Sequence, residues 1–192
     1  KFYTPFKNKM EGEMNRVIGE STAALEKSSD PENGLSNFFT DATLAAARKL
    51  DPKVQFAFPT TKGGIRTSLP KGNITVSNVF ELMPFDNELV ILKLSGAGVK
   101  KVLNFIARSE GQPVSAVRLT IKNKTFQDVT IDGQPFDPNR EYIVATSDYL
   151  ANSTDEQSVM RGALSRTNTG LKLRDVLMNY IEEETKQGRK NE

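Results

Sequence analysis

Three short runs gather the residues of this chain that can do chemistry: Lys62-Gly63-Gly64-Ile65-Arg66, then Leu82-Met83-Pro84-Phe85-Asp86-Asn87, then Asp148-Tyr149-Leu150-Ala151-Asn152 with Asp155 behind it. A guanidinium makes forked hydrogen bonds to oxyanions. A phenyl or phenol ring offers a flat apolar face for stacking, and amide or carboxylate oxygens accept from hydroxyl and amino donors. That set recognises a ligand and does not by itself transform one. With no histidine and no cysteine in the chain, His-based triads, cysteine nucleophiles and most zinc, iron and copper sites are excluded. Asp30, Asp41, Asp128, Asp132, Asp137 and Asp148 form no Asp-x-Asp pair and no calcium-loop spacing, which fits turns and caps. Ser21, Ser68 and Ser158 lack the Gly-x-Ser-x-Gly setting of an activated nucleophile.

A chain of 192 residues suits one domain with a real core. Lys plus Arg total 26 and Asp plus Glu 24, so the net charge of +2 gives no field that argues for nucleic acid. The basic cluster from Lys186 to Lys190 is interrupted by Gln and Gly and reads as a solvated end. No window approaches the roughly 20 apolar residues of a membrane span. The chain starts at Lys1 and not at Met, which suggests a removed leader. The lack of cysteine fits either redox compartment, because a chain of this size needs no disulfides.

The elements that must position these runs can be read from periodicity. Phe6, Met10, Met14 and Val17 predict one face of a helix over Thr4 to Arg16, and Val17 to Leu25 reads as extended. After the turn-rich stretch from Lys27 to Gly34, residues Leu35 to Leu50 form an amphipathic helix closed by Asp51-Pro52. Val54 to Phe58 is a strand that runs into the Gly-Gly loop, where the backbone must pass close to something or take a positive φ. Lys71-Gly72-Asn73 is a turn, and Thr75 or Ser77 caps a short helix that Pro84 terminates. Glu88 to Ser95 is the clearest strand. Gly98 to Arg108 is a helix, Val114 to Ile121 and Phe126 to Ile131 the arms of a hairpin, Glu141 to Ser147 a strand, and Leu171 to Thr185 a final helix. Without strict βαβ alternation, the pattern predicts a single α+β domain on a mixed sheet over residues 1–192.

The ordered runs together resemble the C-terminal domain of the 5′-nucleotidase family. Leu35-Ser36-Asn37…Asp41-Ala42 matches its Leu-Gly-Asn…Asp-Ala helix, and Thr61-Lys62-Gly63-Gly64-Ile65-Arg66 its Asn/Ser-Gly-Gly-Gly-Ile-Arg loop. Gly72-Asn73-Ile74-Thr75 matches Gly-x-Ile-Thr, Pro84-Phe85-Asp86-Asn87 matches Pro-Phe-x-Asn, and Leu94-Ser95-Gly96 matches the strand that leads into a Gly-start helix. Tyr149-Leu150-Ala151-Asn152-Ser153-Thr154-Asp155 matches aromatic-Leu-Ala-x-Gly-Gly-Asp. The likeness covers roughly residues 15–185.

By residue type alone, Phe85 and Tyr149 read as core rings, Asn87 and Asp155 as turn residues, and Arg66 as a surface charge. The resemblance implies that this domain holds a nucleoside or nucleotide. A separate metallophosphoesterase domain, rich in Asp and His and carrying two divalent metals, then cuts the phosphate. It implies that Arg66 faces the polar end of the substrate, and that Gly63 and Gly64 let the backbone come close. Phe85 and Tyr149 sandwich the base, Asn87 reads its edge, and Asp155 accepts from ribose hydroxyls. No cofactor is expected in this chain, and the metals belong to a catalytic domain supplied by another chain or lying outside this sequence. A periplasmic or cell-surface location follows from the same likeness. The chain departs from the pattern at Ser153-Thr154, where the family has Gly-Gly, at Lys62, which replaces a glycine, and upstream of the Leu35 helix, where Lys27 stands without the family's arginine. These departures favour a second reading, a stand-alone binding or scaffold domain with a decayed nucleotide site.

Because the carboxylates are dispersed and imidazole is lacking, the purified chain is expected to release no product from a chromogenic phosphate monoester in the presence of Mn, Co or Zn. Turnover that follows the protein through purification and disappears on substituting its carboxylates would overturn this.

Overall fold

In the computed structural model, residues 3–154 and 158–190 are described. The organising segment is Glu-Leu-Val-Ile-Leu-Lys-Leu-Ser, which forms strand β4 (Glu88–Ser95). Leu89 and Ile91 point to one face of it and Val90, Leu92 and Leu94 to the other, and all five are buried. A strand apolar on both faces must lie inside a sheet, with helices or strands covering each side.

Its neighbours follow. Strand β8 (Glu141–Ser147) runs antiparallel along one edge, with Leu89 opposite Ser147 and Ser95 opposite Glu141. Beyond it lies β2 (Phe56–Phe58), parallel to β8 with Phe58 opposite Thr146. Along the other edge of β4 runs β9 (Ser165–Lys172), antiparallel, with Glu88 opposite Lys172. The order β2-β8-β4-β9 makes one mixed sheet of four strands.

One face is covered by helices α2 (Gly34–Leu50), α3 (Val76–Leu82) and α6 (Leu173–Lys186), through Leu35, Phe39, Val79, Leu82, Leu177 and Ile181. Helix α2 begins at Asn33, whose side chain accepts from Ser36 N–H, and α3 begins in a capping box between Thr75 and Asn78. The other face is covered by α4 (Gly96–Arg108) and by the hairpin β5 (Val117–Lys122) and β6 (Thr125–Ile131), through Val99, Val102, Leu103, Ile106 and Ile131. Strand β7 (Gln134–Pro135) adds a short third strand to the hairpin. Helix α1 (Tyr3–Met14) precedes a small pair of antiparallel strands, β1 (Val17–Ser21) and β3 (Gly72–Thr75). Helix α5 (Asp148–Asn152) follows β8 directly.

The α+β class and mixed sheet stand as the sequence implies, with specific corrections. The first helix ends at Met14 and Val17 starts β1; of the apolar stripe expected there, Met14 packs against the core while Met10 and Val17 are largely exposed. Gly72–Thr75 is a strand and not only a turn. The first hairpin arm starts at Val117 and not at Val114, because Ala116 takes a left-handed φ of 61° after Ser115 bridges to Ala57. Strand β9 was not expected at all: it takes Leu171 and Lys172 from the predicted last helix, which begins at Leu173. Its sequence Ser-Arg-Thr-Asn-Thr-Gly-Leu-Lys has no apolar alternation because it lies on a largely exposed edge, and only pairing with β4 makes it a strand.

The start of α4 is packed backbone against backbone: a methyl group added at Gly96 would stand 2.2 Å from the carbonyl oxygen of Pro138. Gly96→Ala is expected to destabilise the fold by about 1–3 kcal/mol, as overpacking does, in urea denaturation. Gly12→Ala, where nothing lies within 4 Å, is the control and is expected to cost no stability.

Candidate functional site

Strand direction decides where the three sequence runs meet. Because β2 and β8 are parallel and β4 is antiparallel to β8, the end of β2, the start of β4 and the end of β8 lie at one edge of the sheet. The end of β9 joins them, since Lys172 pairs with Glu88. The Gly-Gly-Ile-Arg loop follows β2, the Pro-Phe-Asp-Asn loop precedes β4, and Tyr149 stands on α5 after β8. Residues separated by more than 80 positions are thus collected at one end of the sheet.

The Gly-Gly loop is a single turn of 3₁₀ helix over Lys62–Gly64. Neither glycine takes a positive φ, which corrects one half of the expectation. The other half holds at Gly64, where a methyl group would come 2.0 Å from Thr60 Oγ1; at Gly63 the nearest atom is 3.8 Å away. Lys62 is held in place: its Nζ donates to Ser29 O at 2.8 Å and Glu110 O at 3.4 Å, and its backbone N–H donates to Gln112 Oε1 at 3.0 Å. Arg66 donates its backbone N–H to Leu82 O at 3.0 Å, which ties the loop to the end of α3. Its exposed guanidinium has no ion-pair partner among the described residues and lies 5.7 Å from the centre of the Phe85 ring.

Phe85 is 40% exposed and Tyr149 58% exposed, so neither is a core residue. Large rings left in water at one end of a sheet carry the hydration cost that a ligand would relieve. The two loops are joined by Asp148, whose Oδ1 accepts from Glu88 N–H at 3.0 Å and from Tyr149 N–H at 2.8 Å. Ser147 caps α5 by accepting from Leu150 N–H. Asn87 is half-buried, and its carbonyl accepts from Leu173 N–H at 2.9 Å. Asp155 lies outside the described residues. The structure therefore brings Arg66, Phe85, Asn87, Tyr149 and the Gly63-Gly64 loop to one end of the sheet.

Sequence reasoning missed the junction between β9 and α6. Lys172 Nζ donates to Asp86 O at 3.1 Å and pairs with Glu88 at 2.8 Å. Arg174 donates from Nη1 to Met83 O and Phe85 O, and from Nη2 to Asp86 Oδ1 at 2.7 Å, with its guanidinium 4.1 Å from the centre of the Phe80 ring. The hydrogen bond from Arg174 Nη2, reinforced by the charge of Arg174 and by Lys172, holds the Asp86 carboxyl below the usual carboxylate range. The hydrogen bond to Glu88 raises Lys172 above the ordinary lysine value. No local signal marks Arg174, which is one arginine in an amphipathic helix; only the strand missed before it places it here.

A groove of about 720 Å³ opens elsewhere, between the start of α2, the 111–116 segment and the β5–β6 hairpin, and none of the predicted site residues lines it. Its carboxylates are satisfied from within: Asp41 accepts from Ser115, Asp132 pairs with Arg48, and Glu32 accepts from Asn37. The sheet end, with exposed rings and a guanidinium that has no ion-pair partner among the described residues, is the better candidate.

Comparison with known proteins places the chain in a family. The sequence pattern of the 5′-nucleotidase C-terminal domain matches residues 12–162, and the chain belongs to that family. Among its relatives, the protein UshA of Yersinia enterocolitica is 29% identical over 191 residues, covering 95% of this chain and 34% of the relative. The 5′-nucleotidase of Vibrio parahaemolyticus is 26% identical, covering 94% and 33%. Among solved structures, the 5′-nucleotidase precursor of Thermus thermophilus superposes with a TM-score of 0.80 at 27% identity, over 94% of this chain and 39% of that one. The chain spans about a third of the length of the curated relatives it matches.

The Asp86 carboxyl is expected to titrate below an ordinary aspartate, because its folded pKa is depressed by Arg174. Its contribution is present above the normal carboxylate pKa and is lost as pH falls through the lowered value. Carbon-detected NMR of the side-chain carboxyl checks this, and Arg174→Met is expected to return the titration towards the ordinary value.

Proposed function

We propose that this domain binds a nucleoside or nucleotide at the end of the sheet and presents its phosphate to a metallophosphoesterase domain supplied by another chain or by a region outside this sequence. The observation that carries the reading is the pair of exposed rings, Phe85 and Tyr149, displayed on loops that Asp148 joins, with Arg66 beside Phe85. In this reading the two rings stack on the base and Asn87 reads its edge, while Asp155 accepts from the ribose. Gly63 and Gly64 admit the sugar or phosphate, and Arg66 meets the phosphate. Membership of the family supports it, as do relatives such as the trifunctional nucleotide phosphoesterase YfkN of Bacillus subtilis, 35% identical over 102 residues.

The catalysis is assigned to the other domain. Among the described residues no group of three or more acidic side chains is placed to hold a metal ion, so the donors present do not fit a dimetal centre. The chain's own part is to bind, orient and limit the solvent around the base. A periplasmic or cell-surface location is proposed with this function, on the family likeness. No helix among the described residues is long and apolar enough to cross a membrane. Ser153-Thr154, in the place of the family's Gly-Gly, favours one competing reading, a binding domain that no longer serves a hydrolase.

Calorimetric titration with adenosine and AMP tests the proposal. Stacking contributes about 1–3 kcal/mol per base, so Phe85→Ala or Tyr149→Ala is expected to weaken adenosine binding about tenfold or more while the fold is retained. With Lys62 engaged elsewhere, Arg66 is the cation left for phosphate, and one charged hydrogen bond of about 1.5–3 kcal/mol limits the preference for AMP to roughly a hundredfold. Absence of nucleoside binding would overturn the proposal, and a larger preference that survives Arg66→Ala would overturn the role of Arg66.

A further inference from the structure

We propose that Arg174 is the positioning residue of the base-stacking ring: from α6 it fixes the loop that carries Phe85, and so sets the place of the ring on which a base stacks. The inference rests on the nucleoside reading above. It goes beyond it by assigning a role to a residue of α6 that acts through the loop and not on the base.

The geometry is specific to that loop. Among the described residues, every hydrogen bond of the Arg174 side chain goes to residues 83–86: Met83 O at 3.4 Å, Phe85 O at 3.3 Å and Asp86 Oδ1 at 2.7 Å. Its side chain is 13% exposed, whereas that of its partner Asp86 is 77% exposed. The charge is therefore withdrawn from water to meet a carboxylate that remains in water, and Nε is buried without a hydrogen-bond partner. An arrangement of that kind is poor as a source of stability, since a buried N–H left unpaired carries a desolvation cost. It is well suited to holding a loop, because one rigid fork grips two carbonyls and a carboxylate at once. The face of Phe80 closes one side of the guanidinium.

The neighbours of Arg174 act on the same loop. Lys172 Nζ donates to Asp86 O and Leu173 N–H to Asn87 O, so three consecutive residues of the β9–α6 junction hold residues 83–87. The loop lacks core anchors of its own between Met83 and Leu89; Pro84, Phe85 and Asp86 are all exposed. Without the clamp nothing inside the loop would fix the direction of the ring. Arg66 depends on the same frame, because its backbone donates to Leu82 O, immediately before the clamped segment.

The chain has no tryptophan, so Phe85→Trp places a single fluorescent, flat ring at the position in question. In this chain adenosine is expected to quench the emission. Adding Arg174→Lys, which keeps the charge and loses the fork, is expected to lower the anisotropy, raise acrylamide quenching and weaken adenosine binding about tenfold. In the Phe85→Ala chain, measured by calorimetry, Arg174→Lys is expected to change adenosine binding by less than about twofold, since coupled residues are non-additive. A purely structural arginine would weaken binding equally with and without the ring, and that result overturns the proposal. So does an unchanged anisotropy and quenching in the Arg174→Lys chain. Should the Arg174→Lys chain fail to fold, Asp86→Asn removes the exposed end of the clamp and is expected to move the same readouts in the same direction; no movement overturns the proposal. If the parent chain binds no adenosine, the nucleoside reading falls, while anisotropy and acrylamide quenching still decide whether Arg174 holds the loop.

Discussion

Strand β4 is the constraint from which the remaining arrangement follows. Its five buried apolar side chains project to both faces, so it can exist only between two covering layers, and its backbone groups must be paired on both edges. Pairing with β8 on one side and β9 on the other satisfies them, and both pairings are antiparallel. Once those directions are set, the loops at one end of the sheet are determined: the start of β4 must lie beside the ends of β8, β2 and β9. The candidate site is a consequence of strand direction before it is a matter of particular side chains.

At that end the chain sets exposed rings on a polar frame. Phe85 and Tyr149 stand in water, and what holds the segments that carry them is a set of hydrogen bonds: Asp148 accepts from the backbone N–H of Glu88 and of its neighbour Tyr149, and from outside the Phe85 loop Leu173 donates to Asn87 and Arg174 and Lys172 to residues 83–86. This division is physically reasonable. A ring that must be free to stack cannot also be buried as an anchor, so its position has to be fixed through the backbone that carries it. The large groove beside the β5–β6 hairpin shows the opposite condition, with its carboxylates already partnered and no exposed ring directed at a ligand.

Legibility in the sequence varied with how local the determining forces were. Buried strands and amphipathic helices were plain: β4 and β8 run over the residues their apolar content indicates, and α2 follows its stripe. Strand β9 was not readable, because its eight mostly exposed residues owe their conformation to the free edge of β4 and not to their own side chains. The same failure hid the clamp, since Arg174 could be placed opposite Asp86 only after the strand before it was placed. The first helix shows the reverse case, a regular apolar spacing of which Met14 reaches the core while Met10 and Val17 stay largely exposed.

The sequence by itself determined the class of the fold, the family and the kinds of chemistry available. Those depend on composition and short-range pattern: no imidazole or thiolate, alternating or helical apolar spacing, and ordered runs such as Gly63-Gly64-Ile65-Arg66 and Pro84-Phe85-Asp86-Asn87. Tertiary structure alone decided that Phe85 and Tyr149 are surface rings and not core, that Lys62 is engaged while the exposed Arg66 guanidinium has no ion-pair partner among the described residues, and that α6 hydrogen-bonds to the Phe85 loop. The reason is that exposure and pairing are properties of contacts between residues far apart in the chain, 33 positions for Lys62 and Ser29, 60 for Glu88 and Asp148, and 88 for Asp86 and Arg174, and no local preference of either partner records which contact will form.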